Sequence, residues 1–166
     1  MENLLPVRKR MRLPEYDYSQ SGCYFLTICT RNKVQLFCRI YGFDADGLPL
    51  RTMTPAGQIV ERYILGIPAH YPMVTLDHYA VMPNHIHLLV SIETADDAQR
   101  PSRPNELVPR MISALKRLTN REAGAQLWQD GYEDHVIRND QDYAIHWSYI
   151  EHNPFRWAED KYYDPQ

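Results

Sequence analysis

His85 and His87 flank a single residue in the stretch Val81-Met82-Pro83-Asn84-His85-Ile86-His87-Leu88-Leu89-Val90. In a β-strand successive side chains alternate between faces, so both imidazoles project the same way while Ile86, Leu88 and Val90 point into a core. Two imidazoles converging from one strand make a platform for a divalent metal ion. A second pattern lies in Trp147-Ser148-Tyr149-Ile150-Glu151-His152-Asn153-Pro154. Tyr149 and Asn153 are four residues apart and share one face of a helix. Asn153 offers an amide oxygen, a hard ligand suited to Mg²⁺ or Mn²⁺. Tyr149 offers a phenol, which can act as a nucleophile. The histidine pair plus the amide gives three protein ligands and leaves positions open for water and substrate oxygens. A tyrosine one turn away could then reach a phosphorus atom held at the metal. Each pattern also has an ordinary reading: satisfied structural histidines, a core tyrosine, a helix stop before Pro154.

The elements that must hold these residues follow from periodicity. Residues 1–22 contain Pro and Arg and read as an arm, followed by a domain over 23–166. Cys23 to Thr30 is rich in β-branched and aromatic residues and is expected to be a strand, with Val34 to Ile40 continuing as another. Asp44 to Pro49 is a turn or loop. Thr54-Pro55 opens a helix with an N-cap and a first-position proline, Ala56, Ile59, Val60, Tyr63, Ile64 and Ile67 keep its 3.6-residue period, and Pro68 stops it. Val74 to Met82 is a strand, Pro83-Asn84 a break, and His85 to Ser91 the next strand. Leu107, Val108, Met111, Ile112, Leu115 and Leu118 mark a second amphipathic helix whose start is made ambiguous by Pro109. Leu127 to Gln129 and His135 to Arg138 are short extended pieces. Asn139 or Asp140 caps a last helix that ends at Pro154. The order β, α, β, β, α, β and a final helix predicts an α+β sandwich, one antiparallel sheet with helices on one face.

Composition narrows the function classes. The chain has 166 residues, enough for one domain with a real core. No apolar run approaches the ~20 residues of a membrane helix, and Met1 to Arg12 lacks a signal-peptide pattern, so a cytoplasmic protein is expected. Three cysteines (Cys23, Cys29 and Cys38) make no C-x-x-C pair and argue against a disulfide framework. The net charge is −3, yet cations cluster. Arg8, Lys9, Arg10 and Arg12 lie in the arm, and Lys116 and Arg117 lie towards the end of the second helix. Separated basic segments can face phosphates despite a neutral total, although such runs are more often simply solvated.

Taken together, these motifs resemble a known family. Met82-Pro83-Asn84-His85-Ile86-His87 is similar to the metal motif of HUH single-tyrosine transposases. Tyr149-Ile150-Glu151-His152-Asn153-Pro154-Phe155-Arg156 resembles the Y-I-x-x-N-P-x-[RK] signature of their REP-associated branch. Leu127-Trp128-Gln129, His135 to Asn139, Arg12 to Tyr18 and Tyr24 to Thr27 match that branch in order and spacing. The resemblance covers nearly the whole chain. It implies a single HUH-type domain of ferredoxin-like fold acting on single-stranded or hairpin DNA. It implies that His85, His87 and Asn153 hold Mg²⁺ or Mn²⁺ and that Tyr149 is the nucleophile. In the mobile-element branch the third ligand is a glutamine at the same offset, so the shorter Asn153 must sit closer to the ion. Relatives are dimers with exchanged helices or monomers, so monomer and homodimer both stay open.

The implied reaction nicks and rejoins single-stranded DNA through a 5′-phosphotyrosine on Tyr149, leaving a free 3′-hydroxyl. The covalent link conserves the phosphodiester, so no energy source is needed, and no P-loop is present. Water, His146 and His152 are candidates to accept the phenol proton. Arg8, Lys9, Arg10, Arg12, Lys116 and Arg117 are candidates to hold phosphates of a DNA hairpin without reading its sequence. Trp128, Tyr132 and Trp147 are candidates to stack on unpaired bases, with core packing the commoner use of each. Two rival functions are a hairpin-DNA-binding module without cleavage and a metal-dependent phosphoesterase that uses water as nucleophile.

Overall fold

The computed structural model describes residues 22–93 and 107–165. Four strands form the main sheet: β1 (Gly22–Cys29), β4 (Val74–Val81), β5 (His85–Ile92) and β6 (Glu133–Ile137), in the order β4-β5-β1-β6 with every neighbour antiparallel. That order, with α1 (Pro55–Leu65) before β4 and α3 (Leu107–Ala123) before β6, is the ferredoxin-like α+β sandwich. The alternation of β1 and β5 decides which helices go where. Tyr24, Leu26 and Ile28 of β1 and Ile86, Leu88 and Val90 of β5 join Val60 and Ile64 of α1 and Val108, Met111, Ile112 and Leu115 of α3 in the main core. Burying each of these aliphatic side chains stabilises the fold by about 1.5–3 kcal/mol.

The opposite face takes the other alternating set. Leu89, Ala80 and Met82 pack with Ile150 of α4 (Asp140–His152) and with Trp157 of the 3₁₀ segment Pro154–Glu159, and Phe25 borders this smaller cluster. The last helix thus stands alone on its side of the sheet, as expected of a C-terminal helix added to a sheet with helices on one face. The histidine face of β5 lies under it.

Local chemistry sets the element ends. Thr54 caps α1 by accepting a hydrogen bond from Gly57 N at 3.0 Å, and Asn139 caps α4 by accepting from Asp142 N at 2.8 Å. Several expected boundaries shift. The strand expected from Val34 is β2 (Cys38–Phe43), which pairs with β3 (Pro49–Met53) as a separate hairpin around the Asp44 turn. Asp44 Oδ1 accepts from the amides of Asp46 and Leu48, which fixes that turn. Pro68 does not stop α1. The helix ends at Gly66, and Pro68 sits in the first turn of the short α2 (Ile67–His70), where its missing N–H costs nothing. Pro109 occupies the first turn of α3 for the same reason. β1 begins at Gly22, one residue inside the expected arm. The rest of the arm, with Arg8, Lys9, Arg10 and Arg12, lies outside the described residues.

One glycine is required by a close approach. A Cβ on Gly57 would stand 1.9 Å from the Phe37 carbonyl oxygen. Because the clash is with backbone, Gly57→Ala is expected to lower the stability by about 1–3 kcal/mol or more, read as a lower midpoint in urea unfolding at unchanged slope.

Candidate metal and tyrosine site

The two-residue break Pro83-Asn84 closes the β4–β5 hairpin, with Met82 N donating to His85 O at 2.9 Å. This turn starts β5 at His85, and the strand then aims His85 and His87 at the α4 side. Both are buried, at 0% and 1% exposure, rather than open to solvent. Their Nε2 atoms are 3.1 Å apart. Each outer nitrogen is engaged by a neighbour. His87 Nδ1 lies 2.9 Å from Thr27 Oγ1, which the β1 register places directly opposite, and His85 Nδ1 lies 2.8 Å from Asn84 Oδ1. With the outer nitrogens donating to these oxygens, both Nε2 lone pairs converge on one point, the arrangement in which metal-binding imidazoles are held.

Burial lowers the proton affinity of both rings. His85 is pushed down to about 4 by burial, partly opposed by the Asp160 carboxylate, and His87 falls well below its usual value through burial and then through His85. Both are neutral at pH 7 and ready to ligate. The same shift has a cost in acid. The unfolded chain binds protons on these rings near the ordinary histidine value of 6.5, while folded His85 does so only near 4. Between those values the unfolded state holds more protons, so the stability of the metal-free protein is expected to rise with pH across that window and to be lost as pH falls through it. His85→Gln should flatten that part of a urea-midpoint-versus-pH profile.

A carboxylate that the spacing did not mark also reaches this pair. Asp160, just beyond the 3₁₀ segment, has a fully buried side chain, and its Oδ2 lies 3.8 Å from His85 Nε2. His85, His87 and Asp160 offer one ligand atom each, all within 4.8 Å of one another. Asn153 is also here, buried at the C-cap of α4. Its Nδ2 donates to Asp160 Oδ2 at 2.6 Å. Its Oδ1 is buried without a hydrogen bond of normal geometry, although the amide lies near enough to support the proton affinity of His85. An orphaned buried oxygen beside two neutral imidazoles and a carboxylate is a donor set that fits a divalent cation. Asp160 Oδ1 meanwhile accepts from Tyr162 N at 2.7 Å.

Tyr149 stands over this centre within the same chain. Its ring centroid is 5.2 Å from that of His87, edge to face at 68°, and 5.9 Å from Phe25. The residue is 39% exposed. Burial of half the residue, then the charge of Asp160, push its phenol up to about 12, with Asn153 acting in the opposite direction. A second tyrosine, Tyr162, packs 4.6 Å from His85, but it is buried and its hydroxyl donates to Glu133 Oε2 at 2.8 Å.

Other expected residues fall elsewhere. Lys116 Nζ donates to the carbonyls of Gln129 and Gly131 at 2.8 and 2.5 Å, so most of its donors tie down the loop before β6 instead of facing solvent. Arg117 is exposed and, with Arg121 and Asn120, lines an open groove on α3. Trp128 is core: it packs 4.9 Å from Phe37 and its Nε1 donates to Thr119 Oγ1. Tyr132 is buried in the same core. Trp147 remains at the surface, stacked on His78 at 4.5 Å. His152 is exposed and held 2.8 Å from Ser148 O, while His146 faces inward against Phe25 at 4.7 Å. The cysteines are free.

Asn84, read from the sequence as part of a break, supports this cluster. It is fully buried and links three segments: Oδ1 faces His85 Nδ1, and Nδ2 donates to Lys33 O at 3.2 Å and to Tyr162 O at 2.8 Å. Among the described residues no helix is long and apolar enough to cross a membrane.

No protein-family model matches the chain. An uncharacterized protein of Haemophilus influenzae is 28% identical over 94% of this chain and 93% of its own length. A REP-associated tyrosine transposase of Escherichia coli K12 is 23% identical over 84% of this chain and 70% of its own length. A solved REP-associated tyrosine transposase bound to a REP hairpin superposes with a TM-score of 0.63 at 23% identity, over 90% of this chain and 76% of that one. The fold is therefore shared with that enzyme.

Proposed function

Since the chain is a homologue of REP-associated tyrosine transposases and has their fold, we propose that it is a transposase acting on hairpin-forming repeat DNA, which it nicks and rejoins through Tyr149. The observation that carries this reading is the convergence, within one chain, of an exposed phenol on a buried pair of neutral imidazoles.

His85, His87 and Asp160, with Asn153 Oδ1 beside them, would hold Mg²⁺ or Mn²⁺. The bound ion supplies Lewis-acid polarisation of the scissile phosphate and takes up charge on its non-bridging oxygens. Thr27 and Asn84 fix the two imidazoles with their Nε2 atoms inward. Tyr149 is positioned by α4 and by its edge contact on His87, and it attacks the phosphorus to form a phosphotyrosine and release a 3′-hydroxyl. Asn153 at the same helix end favours the phenolate, against the burial and the Asp160 charge that disfavour it. His146 and His152 each donate Nδ1–H to a carbonyl of their own helix, at Asp142 and Ser148, which leaves the Nε2 lone pair of each as a base, so both histidines and water are candidates to accept the phenol proton. Arg117 and the arm residues Arg8, Lys9, Arg10 and Arg12 are the candidates for phosphate contacts. The partner is single-stranded or hairpin DNA, taken up by a monomer or a homodimer.

The test is a denaturing gel of labelled hairpin DNA carrying a single-stranded flank, incubated with the full chain with and without Mn²⁺. A protein-linked DNA band that requires Mn²⁺ is expected. Salt-sensitive binding without any such band would leave a recognition module, and metal-dependent cleavage without a linked band would leave a water-using phosphoesterase.

A further inference from the structure

A second ligand cluster lies outside that centre. His135 on β6 and Asp142 and His146 on α4 each present one ligand atom, all within 4.8 Å of one another. His135 Nε2 is 2.8 Å from Asp142 Oδ2 and 3.1 Å from Oδ1, and His146 Nδ1 is 3.1 Å from Asp142 Oδ1. Two ligands about 2.0–2.1 Å from a tetrahedral ion stand roughly 3.3 Å apart, close to the spacing of both imidazole–carboxylate pairs here. The side chains are 42%, 19% and 20% exposed, which leaves solvent a way in. The geometry points to a transition-metal site of the Zn²⁺ class formed by His135, Asp142 and His146, which clips the start of α4 to β6 and so sets the stance of the helix that carries Tyr149.

The cluster is built before any ion arrives. The connection between β6 and α4 is only Arg138 and Asn139, with Asn139 capping the helix and Arg138 N donating to Asp142 Oδ2 at 3.0 Å. The His135 and His146 rings are stacked, with centroids 4.6 Å apart and planes at 19°, so their in-plane lone pairs run nearly parallel and one ring must turn to bring both onto an ion. Without the amide oxygen that Asn153 adds beside the first centre, two imidazole nitrogens and a single carboxylate are a borderline donor set that favours Zn²⁺ and its neighbours over Mg²⁺, which prefers oxygen and keeps its water. The two centres are separated by one ring: Phe25 stacks on His87 at 5.1 Å and meets His146 at 4.7 Å. Along α4, Asp142, His146, Tyr149 and Asn153 fall at i, i+4, i+7 and i+11, a single stripe facing the sheet. An ion at the first two positions holds that stripe against β6 at one end while the histidine pair lies under the other. His146 Nδ1 also lies 2.8 Å from Asp142 O, a contact the ion would replace.

Ion binding here does not depend on the strand-transfer reading and is tested without DNA. The metal-stripped full chain is dialysed against micromolar Zn²⁺ and the bound metal counted per chain, for the wild type, His135→Gln, His146→Gln and Tyr149→Phe. His135→Gln and His146→Gln should each hold one ion fewer than the wild type, whatever the His85/His87 centre retains, and Tyr149→Phe should hold the full number. Loss of a direct ligand should weaken the site by more than the roughly 10–100-fold that loss of an outer partner costs. Millimolar Mg²⁺ should leave this ion in place. Circular dichroism checks the fold of each variant, and if His146→Gln fails to fold, the half-exposed His135→Gln decides alone. Equal metal content in the wild type and His135→Gln, or displacement of the ion by Mg²⁺, would overturn the proposal and leave Asp142 as a plain hydrogen-bonded hub.

Discussion

Tyr149→Phe is expected to abolish the covalent protein–DNA band, lowering its rate of formation by roughly 10⁴-fold or more, as removal of a covalent nucleophile does, while hairpin binding stays within a few-fold of wild type. The substitution deletes one oxygen and leaves the ring that packs edge-on to His87 at 5.2 Å and near Phe25 at 5.9 Å. Helix packing is therefore unchanged and the effect isolates the hydroxyl. Among the described residues Tyr162 is the one other phenol ringed by the same histidines, at 4.6 and 6.3 Å. It does not stand in, because it is buried, its proton is committed to Glu133 Oε2 at 2.8 Å, and burial followed by that carboxylate raises its pKa far above the usual tyrosine range. Quantifying the linked band in single-turnover time courses checks the expectation. A Tyr149→Phe protein that still forms the band would remove Tyr149 from the chemistry.

Asp160→Ala is expected to weaken Mn²⁺ binding by about 100-fold or more, and to do so more severely than Asn153→Ala. The ordering follows from charge. A carboxylate offers an ion a full unit of opposite charge, and this one is fully buried beside two neutral imidazoles, where screening by water is least. The Asn153 amide offers a dipole, and its Nδ2 is already engaged in holding Asp160 Oδ2 at 2.6 Å. Mn²⁺ titrations of the two variants, followed by calorimetry, decide it. The reverse order would make the Asn153 oxygen the principal third ligand and Asp160 its support. The Asp160 charge also disfavours the Tyr149 phenolate, so in the metal-free state Asp160→Ala should bring the tyrosine titration down towards its ordinary range, visible by ultraviolet absorbance.

Much of this centre could be read from periodicity. The H-x-H spacing needs only the two-residue repeat of a strand to put both rings on one face, and Tyr149 and Asn153 need only a helical turn. The β1–β5 register and the caps at Thr54 and Asn139 are equally local. Asp160 is different. It follows a 3₁₀ segment containing a kink at Arg156, where neither period applies, and it reaches His85 from 75 positions away through a chain path that no spacing rule describes. Lys116 shows a related limit: its place on the polar flank of α3 is legible, but its hydrogen bonds to the carbonyls of Gln129 and Gly131 depend on how a distant loop returns. Pro68 is read as a terminator by composition, while the real stop is Gly66 and the proline opens the next turn. The split of helices between two faces rests on the alternating residues of β1, Phe25 and Thr27 on one side and Leu26 and Ile28 on the other. Because both sets are apolar or small, the sequence does not reveal that α4 covers one of them.

The Asn84 amide, joined at once to His85 and to the backbone of Tyr162, has a bearing on how the protein is made. The strand that presents the imidazoles is complete early in synthesis, but the carboxylate and the strap that close over it are contributed by the segment around 153–162. A translation product broken off before Asn153 would carry both histidines but neither Asn153 nor Asp160, so the cluster can assemble only once the last segment of the chain has been made.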